Sequence, residues 1–203
     1  MKKSIQLPLN CSAEYVEEFL SAEESRKLYS QLISEYDIAN VKMKLLVDEK
    51  ITYIDTRKIM FMDEDLYTND KLPALIWGKT AIWSDELWKV KKKVEAFTGI
   101  KFGVCVCIYY PDGNSGVAYH SDFTAFGDTT VIPSISLGAE RTFYLRAKEN
   151  LEVYEMMLKD GSMLIMGENC QERYEHSLPT NPIYTKGRIN LTFRQYGFKH
   201  QNS

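Results

Sequence analysis

"KFGVCVCIYY", residues 101–110, is where the apolar period of the chain changes. Before it, apolar residues recur every three to four positions. Within it, Phe102, Val104, Val106, Ile108 and Tyr110 alternate with their neighbours, so all five share one face of an extended strand. That pattern predicts a strand buried on at least one side. Further strands are predicted at residues 131–137, 141–148, 151–158, 162–166 and 189–196, separated by the turn signals Pro111-Asp112-Gly113, Gly138, Asp160-Gly161 and Lys186-Gly187. A run of short strands with such punctuation predicts an α+β fold, a sandwich or jelly roll with leading helices packed on one sheet.

Toward the N-terminus, Ser21 followed by Glu24 forms a capping box, which predicts a helix over about residues 22–35. A second helix is predicted from Ser84. Trp83 and Trp88 occupy its staple positions, Leu87, Val90, Val94 and Phe97 recur at helical spacing, and Gly99 stands where a helix stops. Lys89, Lys91, Lys92 and Lys93 then face outward. The expected organisation is one domain over 1–203: a helix-rich part (1–100) with one strand between helices and a lid region, then a jelly-roll core (101–198). No internal repeat or low-complexity segment interrupts it.

A chain of 203 residues suits one well-buried core. With 44% hydrophobic and 26% charged residues the composition is globular, and no apolar run approaches the ~18 residues of a membrane span. The stretch "MKKSIQLPLNCSAEYVEEFL" lacks an uninterrupted apolar run before a small-residue cleavage site, so a cytoplasmic monomer is expected, without a membrane. Cys11, Cys105, Cys107 and Cys170 are expected as reduced thiols, and their spacing does not make zinc knuckles. A net charge of -3 excludes the broad basic field of a strong non-specific nucleic-acid binder. The lysines at 89–93 are the local exception.

The chemistry concentrates in "GVAYHSDFTAF", residues 116–126. On a strand His120 and Asp122 point the same way and can grip one ion. A third ligand must come from His176 or His200. His200 lies in the polar tail "KHQNS" and takes no role, whereas His176 sits between an apolar strand and a turn-rich segment, near a strand end. Two imidazoles and one carboxylate leave open positions on a metal and suit non-haem Fe(II). In "GRINLTFRQYGF" Arg188, Asn190, Thr192 and Arg194 share one face of an otherwise apolar strand, so the two arginines need anionic partners; a dicarboxylate ligand would serve.

With these segments in order, namely "TGIKFGVCVCIYYPDGNSGVAYHSD", "IPSISLGAERTFYLR", "LKDGSMLIMGENCQERYEHSLP" and "RINLTFRQYGF", the chain resembles the AlkB family of Fe(II)- and 2-oxoglutarate-dependent dioxygenases over residues 98–198. The resemblance implies a double-stranded β-helix, with His120, Asp122 and His176 as catalytic iron ligands. It implies Arg188 on the distal carboxylate of 2-oxoglutarate and Arg194 on the one beside the metal, with Tyr110, Asn190 and Thr192 adding hydrogen bonds. It also implies oxidative demethylation of N-alkylated bases in DNA or RNA, DNA before RNA, single-stranded or flipped, releasing succinate, CO2 and formaldehyde. Three departures stand out. Ile108 replaces an asparagine two residues before the tyrosine, Thr124 replaces an acidic residue that helps read the base, and Thr56-Arg57 and Phe61-Met62 replace the usual lid residues. Arg57, Phe61, Met62, Thr124, Gln171 and Tyr174 are the expected substrate contacts, with base stacking assigned to Phe61 or a nearby Tyr or Trp. Two alternatives remain at this stage: an oxygenase of the same type acting on a protein side chain or small molecule, favoured by the acidic pI and Thr124, and a non-catalytic jelly-roll metal-binding module.

Overall fold

The structure is a computed structural model describing residues 4–47 and 50–197. Along the chain, β1 (Ser4–Gln6) and β2 (Ala13–Val16) precede α1 (Ala22–Ser34), a 3-10 turn (Ile38–Asn40) and the hairpin of β3 (Lys42–Val47) and β4 (Lys50–Asp55). Then come β5 (Lys58–Met62), α2 (Glu64–Thr68), α3 (Ala74–Trp77), β6 (Lys79–Ile82) and α4 (Asp85–Thr98). The second half is β7 (Val104–Tyr110), β8 (Val117–His120), β9 (Ile132–Gly138), β10 (Arg141–Ala147), β11 (Val153–Leu158), β12 (Met163–Met166), α5 (Cys170–Arg173), β13 (Tyr174–Leu178) and β14 (Arg188–Arg194).

The strands close a jelly roll, one of the two folds that the alternation predicts and the double-stranded β-helix that the resemblance implies. An eight-stranded sheet runs β1-β2-β12-β9-β14-β7-β5-β6, and a four-stranded sheet runs β11-β10-β13-β8. Parity along the strands sorts side chains into two cores. On β14, Ile189, Leu191 and Phe193 join Leu28 and Leu32 of α1 and Leu87, Val90 and Val94 of α4 on the helix side of the large sheet. The opposite parity of the large sheet, including Tyr110, Ile132, Leu164 and Met166, meets Phe143, Leu145, Tyr174 and Leu178 of the small sheet. Each fully buried aliphatic or aromatic side chain contributes roughly 1.5–3 kcal/mol. This second, inter-sheet layer is where the polar face of β14 points.

The two predicted helices form as their caps dictate. Ser21 accepts from Glu24 N–H while the Glu24 carboxylate accepts from Ser21 N–H, the reciprocal box. Ser84 caps α4, and Gly99 ends it in the left-handed region at φ 72°, where a side chain would be strained. Two expectations about α4 fail. Phe97 is 37% exposed, touching Phe19 edge-on, and Lys91 is only 3% exposed. Lys91 faces Asp63 and Glu95, and its ammonium lies 4.9 Å and 4.4 Å from the ring centroids of Trp83 and Trp88. Helical spacing gave its direction, but the segment after β5 covers that direction and supplies the counter-charge.

The first half is also less helical than expected: its described residues form six strands, β1 to β6, and four of them extend the large sheet. β5 hides from a search for alternation because Ile59 to Met62 are all buried, with apolar neighbours on both faces.

Candidate active site

β8 and β13 are adjacent antiparallel strands of the small sheet, and their register places His120 directly opposite His176. The two imidazole centroids lie 4.3 Å apart. His176 therefore sits inside β13, flanked by β10 and β8, and not at a strand end as its turn-rich surroundings suggested. β8 stops at His120, so Asp122 lies just past the ladder. It still converges: one ligand atom from each of His120, Asp122 and His176 lies within 4.8 Å of the others.

Protonation suits a cation. His120 Nδ1 is 2.8 Å from the Ala118 carbonyl, which can only accept, so Nδ1 carries a proton and Nε2 is the ring nitrogen left for a metal. Burial holds His176 down to about 4, a neutral ligand at ordinary pH, and Phe143 packs against its ring at 5.7 Å. Two imidazoles and a carboxylate grouped on one side of a point are the donor set that non-haem Fe(II) takes with open positions.

Behind the triad is a cavity of about 120 Å³ lined by Tyr110, Asn190, Thr192, Arg188 and Arg194, together with Val106, Ile108 and Ser134. Arg188 is 2% exposed. It donates to Ser136 Oγ and Asn190 Oδ1 at 2.9 Å each, its Nε has no partner among the described residues, and burial pulls it down to about 10. Among the described residues no carboxylate pairs with it. Asn190 Oδ1 also accepts from Ser134 Oγ, and its Nδ2 donates to Thr192 Oγ1 at 2.8 Å, so the row is already cross-linked. Arg194 stands at the other end: its guanidinium donates to the Phe123 carbonyl at 2.7 Å and approaches Asp122 Oδ1 at 3.7 Å. Two buried cations flanking a small polar cavity fit a dianion. A larger open groove of about 630 Å³ along Trp83 and Trp88 lies elsewhere, and its buried cation, Lys91, is already paired.

The expected substrate contacts divide. Phe61 and Met62 are 0% and 1% exposed and belong to the core, Phe61 meeting Tyr36 edge-on, so neither is a lid residue. Tyr174 is buried, with its hydroxyl accepting from Asn10 N–H; its carbonyl accepts from Ser121 Oγ, and it does not line the cavity. Gln171 accepts from Asp122 N–H at 2.8 Å. Thr124 is exposed beside Asp122, and Arg57, at φ 44°, sits where the hairpin meets β5, its carbonyl accepting from Tyr109 N–H. His200 lies outside the described residues. Sequence reading missed Ser134 and Ser136, although they alternate with Ile135 and Leu137 on β9 as the polar residues of β14 do on theirs.

Comparison with known proteins bears on this geometry. The family model described as the 2OG-Fe(II) oxygenase superfamily matches residues 12–194. Alpha-ketoglutarate-dependent dioxygenase alkB homolog 3 of Rattus norvegicus is 32% identical over 163 residues, 75% of this chain and 54% of that protein. DNA oxidative demethylase ALKBH2 of Bos taurus is 33% identical over 124 residues, 56% of this chain and 44% of that protein. The chain thus spans about half the length of these curated relatives. The solved structure of OsALKBH1 superposes with a TM-score of 0.58 at 16% identity, covering 95% of this chain and 100% of that one, a likeness of fold. The chain belongs to the 2OG-Fe(II) oxygenase superfamily, in its AlkB family. The superfamily's cofactors, Fe(II) and 2-oxoglutarate, are a metal that takes this donor set and a dicarboxylate that takes two guanidinium groups.

Proposed function

We propose that the protein is an oxidative demethylase of N-alkylated nucleic-acid bases. The observation that carries this reading is the convergence of His120, Asp122 and His176 within 4.8 Å, at a cavity that Arg188 and Arg194 also line. When bound, Fe(II) and 2-oxoglutarate with O2 supply the oxidation that hydroxylates an N-methyl carbon, so that formaldehyde leaves and the base is restored. The chain's own work is placement. His120 Nε2, His176 and the Asp122 carboxylate would hold the metal. Arg188 would receive one carboxylate of 2-oxoglutarate, the distal one, and Arg194 the other. Asn190 and Thr192 keep Arg188 aimed into the cavity, Tyr110 closes one wall, and burial of the arginines strengthens each charge-assisted hydrogen bond by excluding water.

The named activities of the AlkB relatives support a nucleic-acid substrate, with DNA preferred. So does an exposed ring beside the site. Phe123, next to Asp122, is 73% exposed. With Phe61 and Met62 in the core, this is a ring on which a flipped or single-stranded base would stack. The test is formaldehyde release from an oligonucleotide carrying 1-methyladenine or 3-methylcytosine, which His120→Ala is expected to abolish. Succinate formation with no dependence on such oligonucleotides would move the substrate to a protein side chain or small molecule. Iron binding with no 2-oxoglutarate turnover would reduce the protein to a binding module.

A further inference from the structure

We propose that Gln171 is the positioning residue that fixes the Asp122 carboxylate for the metal; this rests on reading His120, Asp122 and His176 as a metal site. The two histidines are held by the sheet. They face each other in register, His120 is tied through Nδ1 to Ala118, and His176 is braced by Phe143. Asp122 has no such support, because the β8 ladder ends two residues earlier.

Two cross-links take the ladder's place. The Asp122 N–H donates to Gln171 Oε1 at 2.8 Å, and Ser121 Oγ donates to the Tyr174 carbonyl at 2.9 Å. Gln171 is itself anchored on α5: its carbonyl accepts from Lys148 Nζ at 2.8 Å, and its Nε2 points at Met166 Sδ at 3.6 Å. From the other side Arg194 acts on the same segment, through the Phe123 carbonyl and at 3.7 Å from Asp122 Oδ1. Gln171 therefore opposes a pull that would turn the carboxylate toward the guanidinium and out of the triad. A partner of this kind, touching the ligand residue and not the metal, is typically worth about 10- to 100-fold in metal affinity.

The experiment compares the whole 203-residue chain, stripped of metal by a chelator, with Gln171→Met, which keeps the length but loses the acceptor, and Gln171→Glu, which keeps an acceptor oxygen. Mn(II) affinity is measured by electron paramagnetic resonance and the ligand field by the visible bands of Co(II). Gln171→Met is expected to bind Mn(II) about 10- to 100-fold more weakly and to shift the Co(II) bands, with Gln171→Glu within a few-fold of wild type. A folded Gln171→Met protein with unchanged affinity and bands overturns the role, as does equal weakening in both variants. Amide hydrogen exchange of wild-type protein needs no variant to fold: the Asp122 amide is expected to be protected although it lies outside any ladder, and free exchange overturns the clamp. Wild-type protein that binds neither metal removes the metal site itself, a failure distinct from the others.

Discussion

Replacing Arg188 with Met is expected to stabilise the ligand-free protein and to abolish its response to 2-oxoglutarate. Arg188 is fully buried without a carboxylate partner among the described residues, and burial lowers its pKa from 12.5 to about 10. At about 1.4 kcal/mol per pH unit, keeping that charge in place costs roughly 3 kcal/mol. Methionine removes the charge and fills similar space. It also takes a donor from Ser136 Oγ and Asn190 Oδ1, but Asn190 keeps the Ser134 hydroxyl, so the loss is roughly 1 kcal/mol. The balance is a gain of about 2 kcal/mol, or about 4–8 °C in Tm for a domain of this size. Thermal unfolding is followed by circular dichroism with Mn(II) present, with and without 2-oxoglutarate. Wild-type protein gains stability from the dicarboxylate by mass action; Arg188→Met is expected to start higher and gain nothing. A variant less stable than wild type without ligand, or one showing the same ligand-induced shift, refutes the reasoning that an unpaired buried cation is kept for an anion.

His176 makes the metal-free protein acid-sensitive. Its folded pKa of about 4 lies below the ordinary 6.5, so the stability of the neutral ring is complete above about pH 6.5 and is lost as pH falls toward 4. The loss is on the order of 3 kcal/mol; urea midpoints between pH 7.5 and 4 should fall more steeply than in His176→Gln, and parallel curves would exclude this origin. At the buried ion pair of α4, Asp63→Ala is expected to destabilise by roughly 2–3 kcal/mol, since Glu95 at 3.8 Å remains as a lesser partner for Lys91. Lys91→Met is expected to be close to neutral in guanidinium chloride titrations. A large loss in the Met variant would show that the ammonium between Trp83 and Trp88 is itself stabilising.

Which features the sequence exposes follows from how many faces of an element differ. β9 and β14 have an apolar face toward the helices and a mixed face toward the site, so their alternation survives in the sequence and their positions are legible; β7 is apolar on both faces, with Cys105 and Cys107 toward the helices and Val106, Ile108 and Tyr110 toward the site. β5 is apolar on both faces, and in β13, "YEHSL", the polar His176 and Ser177 are buried on opposite faces along with Tyr174 and Leu178; neither shows a usable period. The same logic makes the site readable. Arg188, Asn190, Thr192 and Arg194 break the apolar rule at inward parity, and Arg188 is buried without a carboxylate partner among the described residues, a cost that an anionic ligand would offset. Phe61 and Met62 obey that rule, which is why they belong to the core and not to a lid. Gln171 lies in a short helix between strands, where no parity assigns it a direction. Its link to Asp122 exists only because α5 folds over the end of β8, a tertiary fact that no local pattern encodes.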